Sequence, residues 1–222
     1  MKRIIFLVLI VLTLSSCKKN DSFPKIENIT SGRKWMLQIG CSPAEVYSQL
    51  QQLGTEKNFN EVAIVYRQPF SKPEDVKNYL GLYHSITLQT NIGIIERVLI
   101  QFKQDKVSSI ETGGAMLDSV AVWPQNIPDE NTIHIDDPVD KVYEKLLAIY
   151  QIPTYHNYQI ILPDKSLEKP FDPDMANYNE WAFSFSYKVS DSRGGTSSVS
   201  LFFTNGKLSK IKHEYNEADI YN

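Results

Sequence analysis

The side chains that could do chemistry are few in this sequence, and their spacing fits no common catalytic pattern. No Gly-x-Ser-x-Gly motif is present, and neither Gly113-Gly114 nor Gly194-Gly195 continues as a phosphate-binding loop. The histidines are scattered, without the short spacing that zinc ligands usually show, at His84, His134, His156 and His213. We therefore predict no catalytic residue, no metal ligand and no cofactor, and we expect that the protein is not an enzyme.

Two groups of acidic residues raise the question of a site. Asp136, Asp137 and Asp140 lack the alternating ligands of a calcium-binding loop, and helix capping explains them better. The loop 163–175 carries several prolines together with the acids Glu168, Asp172 and Asp174. A hydrolase that uses acids of this loop is an alternative that the sequence leaves open.

The amino terminus has the pattern of a secretory signal. A basic start at Lys2 and Arg3 precedes the apolar run 4–14, which is shorter than the roughly 20 residues that span a bilayer. The following Leu14-Ser15-Ser16-Cys17 resembles the lipobox of bacterial lipoproteins. That resemblance implies a signal peptide over 1–16, cleavage before Cys17, and diacylglycerol on its thiol.

The lipid on Cys17 implies a membrane as one partner and a lipidated tether over 17–34. Lys18 stands where an aspartate would resemble an inner-membrane retention signal, so the resemblance favours the outer membrane. The sequence does not distinguish the periplasmic face from the cell surface. Because the tether is polar and aperiodic, we expect packing to begin at Trp35 or Met36.

Charge and cysteine content narrow the remaining classes. The 222-residue chain has a formal net charge of −3, and removal of 1–16, with Lys2 and Arg3, makes it −5. The chain has no basic block, so we expect no nucleic acid partner. Once Cys17 is lipidated, Cys41 is the one remaining cysteine and cannot form an internal disulfide. Without an adjacent base, it is better explained as a small buried residue before a helix.

An internal repeat organises the chain. The segment 37–47 returns as 133–143, with matching apolar residues and a shared Val-Tyr pair, and 98–102 returns as 199–203. A repeat of this kind indicates duplicated structural units. We predict a first unit over 35–111, a link over 112–131 that crosses the surface and that could add a strand, and a second unit over 132–222.

Each unit is predicted to be a helix followed by three or four antiparallel strands, which makes the fold class α+β. In the first unit, Ser42, Pro43 and Glu45 form a capping box, and Gly54 ends the helix. In the second, Asp137 is the predicted cap, followed by Pro138. Two hairpin turns are expected, at Gln104-Asp105 and at Asn205-Gly206.

The clearest strand of the second unit alternates aromatic and small residues. Trp181, Phe183, Phe185 and Tyr187 are predicted to face the second helix at Val142, Tyr143 and Leu146. The alternate positions then form an outward face of small residues, interrupted by Phe202: Ala182, Ser184, Ser186, Ser198, Ser200 and Thr204. We call this set, without Phe202, the serine face.

The order of motifs in the first unit resembles a known family. Ile39-Gly40, the cap Ser42, Val46 and Leu53-Gly54, followed by a tyrosine-bearing strand and a closing hairpin, are similar to small outer-membrane-assembly lipoproteins of the SmpA/OmlA type. Two such units in tandem resemble the β-lactamase inhibitor protein family, which implies the same fold over 35–215. The second unit departs from the pattern at Asp136, which replaces Gly40.

The resemblance implies a location and a fold but no functional residue. The inhibitor family binds through a concave sheet rich in aromatic residues, which the serine face lacks, so we predict no tight inhibition of β-lactamases. We predict a non-catalytic envelope lipoprotein that binds another protein or a glycan; a purely structural envelope role is a further alternative. The predicted binding residues are Arg67, Tyr83 and Phe202, and we expect a partner to contact the first unit, or loop 163–175, more than the serine face.

Overall fold

The computed structural model of the chain describes residues 23–91 and 93–219. The predicted signal peptide 1–16 and the predicted lipidation site Cys17 lie outside these residues. Among the helices within the described ranges, none combines the length and apolar character needed to cross a bilayer.

The described chain is mostly antiparallel β-strand, with two α-helices. In chain order the strands are β1 (Lys25–Ile29), β2 (Arg33–Lys34), β3 (Leu37–Gln38), β4 (Glu61–Ile64), β5 (Ser85–Thr90), β6 (Arg97–Lys103), β7 (Lys106–Gly113), β8 (Leu117–Val120), β9 (Val122–Trp123), β10 (Ile133–His134), β11 (Tyr158–Ile161), β12 (Lys165–Ser166), β13 (Glu180–Ser190), β14 (Arg193–Thr204) and β15 (Lys207–Asp219). The helices are α1 (Pro43–Lys57) and α2 (Val139–Ile149). Short 3-10 turns occupy Pro73–Val76, Leu80–Leu82, Asp129–Asn131 and Pro173–Asn177.

The strands form two principal sheets. The large sheet has the order β1-β15-β14-β13-β4-β12, and the small sheet has the order β11-β5-β6-β7-β8. Two short pairs, β2 with β3 and β9 with β10, lie outside them. The predicted hairpin turns are confirmed, because Gln104, Asp105, Asn205 and Gly206 all take positive φ between β6 and β7 and between β14 and β15.

The sequence signals at the helix starts are only half confirmed. Ser42 caps α1 in a complete capping box with Glu45, as predicted. The helix continues past Gly54 and ends at Asn58, which takes the left-handed conformation at φ 58. Gly54 is required instead for close packing, since a Cβ there would lie 2.5 Å from the carbonyl oxygen of Phe59. At α2 the predicted cap is wrong, because Asp137 accepts hydrogen bonds from the His134 amide and Lys145.

The predicted fold class is wrong. The chain is a β-rich fold, and it does not form two tandem units that each carry their own helix. The apolar side of α1, with Val46, Leu50 and Leu53, packs on β13, β14 and β15 of the large sheet. The apolar side of α2, with Val142 and Leu146, packs on β5, β6 and β7 of the small sheet. Each helix therefore covers strands that come mainly from the other half of the sequence.

This exchange also changes the packing of the aromatic strand. Trp181, Phe183 and Phe185 are buried on the inner face of β13, as their alternation predicts, but they face α1 and not α2. Tyr187, the fourth residue of the series, is 46% exposed. The apolar stripe of either helix satisfies either sheet, so local periodicity does not specify which pair forms.

Two connecting segments also contribute strands. Lys25–Ile29 lies in the predicted tether, yet it pairs with β15 from Lys25 opposite Tyr215 to Ile29 opposite Ile211. Most of its side chains are exposed, so backbone pairing and not burial orders it. The predicted link 112–131 adds β8 to the edge of the small sheet.

Candidate functional site

Two of the predicted binding residues meet inside the protein, between the two sheets. The Arg67 guanidinium donates to the hydroxyl oxygen of Tyr83, and its Nη2 lies 2.9 Å from Oδ2 of both Asp172 and Asp174. Tyr83 in turn donates to Asp172 Oδ2 at 2.5 Å. The Arg67 side chain is only 7% exposed and that of Asp172 is fully buried. We call these four residues, together with Lys165, the interior polar cluster.

Local backbone geometry places these groups. Arg67 lies three residues after the end of β4 at Ile64. The residue before it, Tyr66, has a positive φ of 62, which turns the chain away from the large sheet. Asp172 caps the 3-10 turn Pro173–Asn177 by accepting from the Asp174 amide at 2.9 Å. Asp172 and Asp174 of the loop 163–175 thus hold Arg67 in place. Glu168 of the same loop lies apart from them, with a side chain that is 74% exposed.

Lys165 brings a second cation into the interior polar cluster. The residue is fully buried, and its Nζ donates to the Ser166 carbonyl at 3.0 Å between the rings of Tyr47 and Tyr83. Burial disfavours the charged ammonium and lowers the pKa of Lys165 to about 8. Burial likewise raises the pKa of the Tyr83 hydroxyl. Arg67 follows β4 of the large sheet and Tyr83 precedes β5 of the small sheet, so the hydrogen bonds that both make to Asp172 join loops of the two sheets.

The third predicted residue, Phe202, lies apart from this cluster on the outer side of the large sheet. The Nζ of Lys210 stands 3.9 Å above its ring centroid. Farther along the strands, Ser184 and Ser198 lie opposite each other and are exposed, so the predicted outward orientation of the serine face is confirmed at these positions. A shallow hollow of about 480 Å³ lies over this face, with Lys212 and Glu214 in its lining.

A second depression, on the opposite side of the large sheet, was not predicted from the sequence. Its volume is about 480 Å³, and it lies beyond the end of α1. It is lined by three aromatic residues and a polar rim, namely Trp35, Phe185, Tyr187, Lys34, Glu56, Lys57, Asn58, Ser186, Ser197 and His213. We call it the aromatic groove.

The aromatic groove exists because the strands are longer than the helix that covers them. The 15 residues of α1 span about 22 Å at 1.5 Å per residue. The 13 residues of β15 span about 43 Å at 3.3 Å per residue. Phe59, just after α1, stacks on Phe183 at 4.7 Å and on Phe185 at 5.9 Å, and beyond Phe185 the inner face of the sheet loses its cover.

Trp35 forms one wall of the aromatic groove in an unusual backbone conformation. It occupies the turn between β2 and β3 at φ 52, a left-handed region that bulky residues rarely adopt. Its ring meets those of Phe185 at 5.6 Å and His213 at 5.0 Å, both edge-on, and Lys34 Nζ lies 5.2 Å from its centroid. No sequence signal predicts this turn, because the residues around Trp35 indicate only that packing begins there.

The polar side of the aromatic groove is fixed by hydrogen bonds. His213 Nε2 lies 3.0 Å from the Ser197 hydroxyl, and its Nδ1 faces Glu27, which also receives a hydrogen bond from Lys34. Burial lowers the pKa of His213, so the imidazole is neutral at neutral pH. The groove therefore offers part-exposed rings beside hydroxyl and charged groups, an arrangement suited to holding a ligand.

Comparisons with known proteins give no relative for this chain. No family model matches it, and neither do any of the curated proteins or solved structures with which it was compared. The resemblance to SmpA/OmlA-type lipoproteins therefore stays a prediction. Within residues 23–91 and 93–219, no three His, Cys, Asp or Glu side chains are grouped as a metal site.

Proposed function

We propose that this protein is a non-catalytic binding module of the bacterial cell envelope, anchored at the outer membrane through lipid on Cys17. Its ligand, another envelope protein or a glycan, occupies the aromatic groove. The observation that supports this proposal is the pairing of part-exposed Trp35 and Tyr187 with a charged rim. Tryptophan and tyrosine dominate binding energy at interfaces because they bury a large rigid area and still offer a polar atom.

The conformation of Trp35 strengthens this assignment. A bulky residue at positive φ costs about 1–3 kcal/mol and persists where the surrounding structure holds it for a purpose. Here the strained turn places the indole at the mouth of the groove, against Phe185 and His213. A glycine or asparagine would form the turn without strain, but neither would supply an aromatic wall.

A site-specific crosslinking experiment tests the groove. A photoreactive phenylalanine analogue at Tyr187, in the full lipidated protein in its own envelope, should capture a partner that mass spectrometry identifies as protein or glycan. Trp35→Ala should weaken capture about 30-fold, corresponding to the roughly 2 kcal/mol typical of an interface hot spot.

Tyr66 provides the matched control for this experiment. It is an aromatic residue at φ 62 and is 81% exposed, but it does not line the groove. The photoreactive analogue at Tyr66 should capture nothing specific, and Tyr66→Ala should leave capture at Tyr187 unchanged. Equal capture at both positions, or full capture by the Trp35→Ala protein, would overturn the assignment of the groove.

The lipid anchor is tested separately. Cys17→Ser should leave an uncleaved or soluble precursor, because the Cys17 thiol is the predicted lipid acceptor. Globomycin, which blocks the lipoprotein signal peptidase, should make a larger form of the wild-type protein accumulate. A lipid-free mature protein of the same mass under both conditions would contradict the anchor.

A further inference from the structure

The longest strands of the large sheet are β13, β14 and β15, and the two ends of these strands differ in their residues. At one end, the turn Asn205–Gly206 joins β14 to β15 among polar and basic residues such as Lys207. At the other end, β13 and β14 meet in a hairpin between Ser190 and Arg193. We call residues 187–193 of this hairpin the hairpin tip. The two ends lie about 40 Å apart along the strands.

The described chain begins at the hairpin tip. The ring of Phe23 packs edge-on against Tyr215 at 5.7 Å, and the Arg193 guanidinium lies 6.0 Å from its centroid. Tyr215 stacks in parallel on Tyr187 with 6.0 Å between centroids. Since Lys25 pairs with Tyr215, the preceding chain leaves the sheet toward the tip.

The position of the anchor then limits where the membrane lies. Six residue steps separate Cys17 from Phe23, and a fully extended chain covers at most about 3.6 Å per residue, or about 22 Å in total. A lipid on Cys17 therefore holds the bilayer surface within about 22 Å of the tip. That distance is roughly half the length of the strands, so the Asn205–Gly206 end need not reach the membrane.

The chemistry of the hairpin tip suits the interfacial layer of a bilayer. Tyr187 and Val189 are 46% and 43% exposed, although both are large and apolar or amphipathic. The charges around them are paired: Lys188 with Asp191 at 2.6 Å, and Arg193 with Glu217 at 3.1 Å. Tyrosine is enriched at membrane–water interfaces, where its ring lies among the headgroups. Because its charges are neutralised within the protein, the tip does not need anionic lipid.

We propose that the hairpin tip rests on the phospholipid surface, so that the long strands of the large sheet run away from the membrane. The aromatic groove then lies on the membrane-proximal half of the protein. This inference rests on the lipid anchor of the proposed function. It adds an orientation and a second, non-covalent membrane contact at Tyr187 and Val189.

Fluorescence quenching in vesicles tests the orientation. The full lipidated protein, with Cys41→Ala, carries a single environment-sensitive dye on Val189→Cys or, as the matched control, on Lys207→Cys at the opposite end of the same sheet. In phosphatidylcholine vesicles with brominated acyl chains, we expect quenching at position 189 to be at least threefold stronger than at 207. Addition of anionic lipid or of salt should change this ratio little.

The outcomes separate the inference from the anchor. If the protein floats with the vesicles but the dye at 189 is quenched no more than at 207, the orientation is wrong and the anchor stands. If the protein does not float, the anchor fails and the orientation fails with it. A Tyr187→Ser change, read by the dye at 189, should reduce quenching at least twofold; unchanged quenching would rule out the non-covalent contact.

Discussion

The two sheets of this protein share a plan but differ in how completely their helices cover them. The core of the small sheet is mainly aliphatic, with Ile86, Leu88 and Ile100 beneath α2. Trp123, Tyr155 and Tyr158 pack together beside it. In the core of the large sheet, Trp181, Phe183 and Phe185 line up on the single strand β13, and the strands continue past α1. Extra strand length, and not a different fold, opens the aromatic groove of the large sheet beyond the end of α1. On the small sheet, the rings of Trp123, Tyr155 and Tyr158 line a depression of about 490 Å³ that lies against the link and not beyond a helix end.

The largest expected effect comes from the interior polar cluster that joins the two sheets. Asp172→Ala removes a buried acceptor and leaves the Arg67 guanidinium without its fully buried partner. Breaking a buried ion pair from one side costs roughly 3–5 kcal/mol. Urea unfolding should show this loss in one transition for both sheets, monitored by probes in each. Two separated transitions, or a loss below about 1 kcal/mol, would show that the sheets do not depend on the cluster.

The aromatic core of the large sheet gives the next effect. Phe183→Ala should lower the free energy of unfolding by roughly 3–5 kcal/mol, because it removes a buried ring that stacks on Phe59 and leaves a cavity in its place. Ser184→Ala, the adjacent residue on the exposed side, should change it by less than about 0.5 kcal/mol. Equal losses in a urea series would contradict the burial of this strand.

The third prediction concerns Lys165 and pH. Because its pKa is about 8 in the folded protein and 10.5 is its ordinary value, the unfolded chain binds more protons between these pH values. The folded state therefore gains stability as pH rises above 8, by at most about 1.4 kcal/mol per unit. The raised pKa of Tyr83 reverses this trend above about pH 10, where unfolded tyrosine ionises. Thermal melts at pH 8, 9 and 10 should show the gain in the wild type but not in Lys165→Met; parallel curves would refute it.

The smallest stability effect is expected in the aromatic groove. Tyr187→Ala removes a ring that is 46% exposed, so the free energy of unfolding should fall by less than about 1 kcal/mol. The same change should strongly reduce ligand capture by a photoreactive analogue placed at Lys57 on the rim of the groove. A large loss of stability without loss of capture would show that Tyr187 is a packing residue. The large sheet would then have no more of an exposed binding face than the small sheet has.

Local structure was largely predictable from the sequence, and long-range pairing was not. The capping box at Ser42 and the turns at Gln104-Asp105 and Asn205-Gly206 depend on neighbours a few residues apart, so the sequence contains the whole signal. Arg67 and Asp172 are 105 residues apart, and nothing near either residue indicates the other. Both residues lie outside the strands: the chain leaves β4 before Tyr66 and Arg67, and Tyr83 precedes the first residue of β5, so strand alternation does not set where either side chain points. A binding role for Arg67 and Tyr83 stays a prediction, although the side chains of both residues are buried.

The groove was missed for a related reason. The alternation of Trp181, Phe183, Phe185 and Tyr187 correctly predicts which side of β13 is aromatic. It does not say where the covering helix ends, because that depends on α1, which precedes β13 by more than a hundred residues. The boundary between core and groove falls between Phe185 and Tyr187 and is a property of the assembled sheet.

The exchange of helices between the sheets has a consequence for the order in which the chain folds. A chain that emerges amino-terminus first presents the apolar stripe of α1 long before β13, β14 and β15 exist to receive it. Contacts of such high sequence separation slow folding, and the stripe is meanwhile available for aggregation. The segment up to residue 131 cannot complete either core by itself, so a newly made chain has to remain protected until nearly its last strand has been synthesised.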